Sequence, residues 1–81
     1  MIHELKILPQ NYEDVWNDKK KAELRYNDRD YKVGDTLTLK EWDGKKFTGR
    51  CWDFYITHIF DDETYLQKGY VMLSIEMLPP F

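Results

Sequence analysis

The chain holds a single cysteine, Cys51, in 81 residues. One thiol forms no internal disulfide, and no Cys/His cluster supplies four ligands for zinc. Histidine is scarce too. His3 and His58 support no Ser-His-Asp or Cys-His arrangement, and each is expected as a half-buried strand residue. The four glycines form no phosphate-cradling loop, so neither cofactor nor metal is expected. No apolar run approaches the ~20 residues of a membrane span, and the N-terminus lacks the apolar stretch of a signal peptide. A soluble cytoplasmic protein is therefore the expectation, and a lone thiol fits a reducing compartment.

What the chain does have is aromatic bulk: three Trp, six Tyr and four Phe. A single domain of this length buries only about 60–65% of its unfolded surface, so large rings must supply much of the core. That suits a small barrel or sandwich better than a long-helix bundle. The charge is uneven as well. The net charge of −3 hides a segment, residues 19–32, that carries +3 between acidic flanks. A local field of that kind steers anions more than net charge does.

The pattern reads as one unit, without repeats or linkers. Residues 2–8 alternate as a strand, with His3, Leu5 and Ile7 on one face. Pro9 ends the strand and opens a helix, on which Tyr12, Val15 and Trp16 form one stripe through about Asp18. Lysines 19–21 then complement the negative helix end. A strand over 22–27 places Ala22, Leu24 and Tyr26 on one side and Glu23, Arg25 and Asn27 on the other. Val33-Gly34-Asp35 marks a reversal, and Thr36 to Trp42 alternates until the hairpin signal Asp43-Gly44. Phe47 to Phe60 reads as a long strand bent at a Gly49 bulge. Asp61 to Thr64 leads into a loop or one helical turn closed by Gly69, Tyr70 to Met77 is a last strand, and Pro79-Pro80 a stop. The order β-α-β-β-β-β predicts an α+β, mainly β fold: a small, partly open and mostly antiparallel barrel, one end covered by the helix.

Within it, Lys20, Glu23 and Arg25 stand out. Lys20 and Arg25 can hold a phosphate, while Glu23 orients Arg25 or accepts from a base amino group. The plain structural alternative is a Glu–Arg pair on a solvated strand face. Of the aromatics able to stack on bases (Trp42, Phe47, Trp52, Phe54 and Tyr55), most are expected in the core. Trp42, at the hairpin mouth with Lys45 and Lys46, is the one expected to be exposed.

Lys20-x-x-Glu23-x-Arg25 resembles the core of the G-x-K-x-x-E-x-R motif of ASCH (activating-signal-cointegrator homology) domains, which belong to the PUA-like β-barrel superfamily. The flanking Leu5-x-Ile7-x-Pro9, short helix and Val33-Gly34-Asp35 turn match as well. The runs His3 to Ile7, Asn27 to Asp30 and Gly69-Tyr70-Val71 look like a small stand-alone bacterial and phage subfamily. The resemblance implies a PUA-like barrel that binds RNA or a nucleotide in a cleft between barrel and helix, lined by Lys20, Glu23 and Arg25. His3 joins them because the first strand approaches the motif in the related fold. The motif glycine is replaced by Asp18, which tolerates a left-handed cap but sets a side chain beside the cleft.

Two other functions are compatible with the sequence. Some ASCH-type proteins hydrolyse N4-acetylated cytidine with the motif lysine, a threonine three residues later and a distant glutamate. Here Lys20 is present, Glu23 occupies the threonine position, and Glu76 is the candidate distant carboxylate. The acidic flanks also suit a protein-interaction or regulatory module.

Overall fold

In a computed structural model that describes residues 1–79, five strands form one sheet in the order β1-β3-β4-β5-β2. The strands are β1 (Ile2–Ile7), β2 (Ala22–Tyr26), β3 (Thr36–Trp42), β4 (Phe47–Phe60) and β5 (Tyr70–Met77). One helix, α1 (Pro9–Trp16), follows β1. Strand β1 runs parallel to β3, and every other pairing is antiparallel. The expected mainly β order is therefore present, as a curled half-barrel. Pro80, expected to end the fold, lies outside the described residues.

The core follows from strand alternation. Leu5 and Ile7 of β1, Leu37 and Leu39 of β3, Phe54 and Ile56 of β4, and Val71, Leu73 and Ile75 of β5 all point inward and are buried. Tyr12 and Val15 of α1 close over them, whereas Trp16, expected in the same stripe, is largely exposed and stands edge-on to Trp52 at 5.3 Å. The three share one stripe about 100° wide, and Trp16 is the last residue of the helix, so it meets the rim of the sheet rather than its core.

The irregular points sit where small or turn-forming residues stand. Between Lys40 and Trp42 the β3–β4 register slips, so Thr48 to Arg50 oppose Glu41 alone; Gly49, at φ 98°, takes the bend expected of it. Gly69, at φ 86°, precedes β5 and accepts a hydrogen bond from the Asn27 N–H at 2.8 Å, drawing the ends of β2 and β5 together. A Cβ there would lie 2.6 Å from Tyr26 Cε1.

One buried polar cluster anchors the start of β1. His3 is buried rather than half-buried, and its Nε2 lies 2.8 Å from Asp35 Oδ2; His58, by contrast, is exposed. Asp35 also accepts the N-terminal amine at 3.1 Å and the Lys32 N–H at 3.1 Å. The His3 hydrogen bond, opposed by burial and helped by the amine and the Lys32 N–H, holds the Asp35 carboxyl down at about 2.

Two outcomes are expected. Gly69→Ala should lower stability by about 1–2 kcal/mol in urea denaturation, because φ there is strained for any side chain and the ring must move. An unfolded aspartate titrates near ~3.9, so Asp35 adds its stability above about pH 4 and loses it as pH falls through about 2. Asp35→Asn should cost on the order of 1–2 kcal/mol at neutral pH, with the deficit shrinking as pH falls across that window. Parallel melting curves for the two proteins from neutral to acid pH would exclude this role.

Candidate functional site

Strand β2 alternates as the sequence predicts, but with its charged face turned inward. Glu23 is only 4% exposed, while Leu24 and Tyr26 face solvent, opposite Met72 and Tyr70 of β5. The solvated Glu–Arg pair that the residue pattern alone allows is thus absent. Strand β2 is an edge, and its inner face meets the gap to the other edge, β1, so an inward side chain there borders a seam rather than close-packed core.

The Glu23 carboxylate is held from both sides. Lys20 Nζ donates to Glu23 Oε1 and to the Ala22 carbonyl. Arg25 Nε donates to Glu23 Oε2 at 2.9 Å. Two cations against one buried carboxylate supply the compensation that a buried charge requires. Arg25 does more: its Nη2 donates to the Lys6 carbonyl of β1 at 2.8 Å. Arg29 Nη1 likewise donates to the Glu4 carbonyl at 2.9 Å. The seam between β1 and β2 has no backbone ladder, and arginine side chains satisfy β1 carbonyls in its place.

Lys20 owes its position to the exit from α1. The N–H groups of Lys19 and Lys20 both bond the Asp14 carbonyl, and Asp18 turns the chain at φ 60°. Asp18 therefore adopts the left-handed conformation for which the motif glycine is suited. Its carboxylate stays in solvent, 3.8 Å from Lys21.

Lys20, Glu23 and Arg25 converge on one depression of about 330 Å³, completed by Lys6, Ile7, Leu8, Asn11 and Leu24. The side chains of Lys20 and Arg25 remain 28% and 25% exposed. Arg25 Nη1 has no protein partner among the described residues. The depression therefore presents two cation surfaces around a neutralised carboxylate, an arrangement chemically suited to an anion.

The other two candidates lie apart from the triad. His3 lines neither this depression nor its neighbour, and it sits three residues, ~10 Å along the strand, from Lys6. Trp42 is half-buried on the outer face of β3, with Lys6 Nζ 4.0 Å from its ring centre and Phe47 edge-on at 4.9 Å. Lys45 and Lys46, expected beside it, donate their backbone N–H groups to Asp43 in the turn. The pattern search missed Lys6, whose outward position on β1 is legible from alternation but whose nearness to Arg25 is not. Among the described residues, no group of three or more His, Cys, Asp or Glu is placed to hold a metal ion, and no helix is long and apolar enough to cross a membrane.

A family model described as "Domain of unknown function (DUF3850)" matches residues 2–75. The chain is also 43% identical over 72 residues to an "Uncharacterized 12.9 kDa protein in GpA 3'region" of Escherichia phage P2. That alignment covers 89% of the chain but 65% of the phage protein.

The seam makes the two cations unequal. Arg25→Ala removes a partner of Glu23 and the bond to β1, and should cost about 2–3 kcal/mol in urea denaturation. Lys20→Ala leaves the seam intact and should cost about 1 kcal/mol. Equal losses would remove Arg25 from its bridging role.

Proposed function

The chain belongs to the DUF3850 family, and we propose that it is a small RNA- or nucleotide-binding module of the ASCH, PUA-like type, acting in the cytoplasm. The observation that carries this proposal is the convergence of Lys20 and Arg25 around the buried Glu23 carboxylate in one depression. Glu23 fixes both cations, so they meet a phosphate with little further ordering, which favours binding. Lys20 Nζ keeps one N–H beyond the two given to Glu23 and Ala22, and Arg25 Nη1 has no protein partner among the described residues, so each has a donor left for a phosphate oxygen. The half-barrel with a helix against its concave side, and the left-handed turn at Asp18, support kinship with PUA-like barrels.

A second activity has a specific observation in its favour. Lys20 also borders a depression of about 360 Å³ with Asp18, Lys21 and Glu76, so the motif lysine and the distant carboxylate face one space. Hydrolysis of an acetylated nucleoside there would have Glu76 take a proton from an attacking water and return it to the nucleoside amine as the amide C–N bond breaks, releasing acetate. Lys20 is held as a charged donor by Glu23 and Ala22, which suits anion binding rather than base or nucleophile chemistry, and Glu76 accepts from the Tyr55 hydroxyl, so the pair favours binding over turnover. Incubation with acetylcytidine at high protein concentration, monitored for cytidine release, separates the two.

Binding through these cations predicts a steep loss of affinity with salt, measured by fluorescence anisotropy with a labelled single-stranded RNA. Lys20→Gln should weaken binding about five- to tenfold and reduce the salt slope by about 0.7, the value for one single-strand phosphate contact. Its melting temperature should fall by only the several degrees that a loss of about 1 kcal/mol implies, leaving it folded at the assay temperature. Unchanged affinity in this variant, or no binding by the wild type at low salt, would overturn the proposal.

A further inference from the structure

The depression around Glu23 does not stop at the seam. Lys6 and Arg25 also line a second depression of about 420 Å³, together with Glu4, Leu5, Arg29, Lys40 and Phe47. The two depressions adjoin at Lys6 and Arg25, and together they lead from the exit of α1 across β1 to the outer face of β3. Along this track stand five cations, Lys6, Lys20, Arg25, Arg29 and Lys40, against two carboxylates, Glu23 between Lys20 and Arg25 and Glu4 at 3.6 Å from Lys40. In a chain of net charge −3 this is a strongly polarised strip.

Aromatic rings stand at its far end. Phe47 is 44% exposed and edge-on to Trp42. Lys40 Nζ lies 4.6 Å from the Phe47 ring centre, and Lys6 Nζ lies 5.9 Å from it. The register explains the gathering: Lys6 is opposite Lys40 on β1 and β3, so both project outward beside Trp42, and the hairpin returns Phe47 opposite Trp42. The other candidate platforms are committed elsewhere. Phe54 is in the core, Trp52 Nε1 bonds the Leu78 carbonyl at 2.9 Å, and Tyr55 bonds Glu76.

We propose that this track binds single-stranded nucleic acid of two or more nucleotides. A base stacks on the Phe47–Trp42 pair, and the backbone crosses β1 over Lys6 and Arg25 to reach Lys20. This extension rests on the proposed function above and specifies its ligand. A mononucleotide carries one base and one phosphate group and fills one depression. A chain that occupies the ring pair and both cation groups needs at least one phosphodiester between two nucleosides. Rings flanked by lysines are the arrangement by which sequence-tolerant single-strand binders combine stacking with charge.

The experiment compares uridine monophosphate with a labelled uridine octanucleotide at low salt, by calorimetry and anisotropy, on the wild type and on Phe47→Ala and Lys40→Gln. The octanucleotide should bind at least about tenfold more tightly than the monophosphate. Each substitution should weaken the octanucleotide about five- to tenfold and leave the monophosphate unaffected. The second variant tests the track without removing a ring. Equal affinity for the two ligands, or octanucleotide binding unchanged by both substitutions, overturns the extension while leaving the anion site in place. Failure of both ligands to bind the wild type removes the anion site itself.

Discussion

Glu23 is the charge around which this small half-barrel is organised. It lies on an edge strand, faces inward and is buried, so it must be compensated or the strand turns over. Lys20 and Arg25 compensate it from opposite sides, and Arg25 then reaches the Lys6 carbonyl across the seam. Through that bond the requirement of one carboxylate is linked to the closure of the sheet. A five-strand sheet curled to this degree leaves two unpaired edges, and free edges invite pairing with other chains. Here the β1 edge is capped in part by guanidinium groups from Arg25 and Arg29.

The same compensation leaves chemistry at the surface. A buried ion pair replaced by apolar residues of similar volume is often no less stable, so stability alone does not require this triad. Apolar replacements would seal the seam but present nothing to an anion. With Lys20 and Arg25 about three-quarters covered, the cations are dry enough to be held in place and open enough to be reached. A second buried carboxylate, Glu41, contrasts with this. It accepts the Thr48 hydroxyl at 2.6 Å, and Arg50 is shared between it, 3.8 Å from Nε, and Glu13, 2.9 Å from Nη2, so two carboxylates meet one cation against the Tyr12 ring. Two similar inward carboxylates thus lead to different surfaces, one with an excess of negative charge and one with an excess of positive charge.

Much of the fold was legible in the residues. Alternation in β1, β3 and β5, Pro9 at the helix start, Asp43-Gly44 at the hairpin and Gly49 at the bulge each act through local sterics or a period of two, and these operate whatever the rest of the chain does. The helix stripe was legible only for Tyr12 and Val15, since where Trp16 falls depends on what the helix packs against. The sequence also marked Lys20, Glu23 and Arg25 through their spacing, while giving no sign that Lys6 belongs beside them.

By itself, then, the sequence determined the elements, their order and the placing of Glu23 and Arg25 on a common face of β2. Which face of β2 looks inward was a matter for the tertiary structure alone. Local pattern favours the inward turn of Leu24 and Tyr26, yet an edge strand facing a seam has water and cations at hand and need not bury its apolar side. Pairing with β5 sets Leu24 against Met72 and Tyr26 against Tyr70 on the convex surface, and sends Glu23 to the seam. Strand order decided the rest. The parallel pairing of β1 with β3 puts Lys6 next to Lys40 and leaves the other edge of β1 to Arg25. Such neighbours are set by long-range backbone pairing, which a period of two in one strand does not encode.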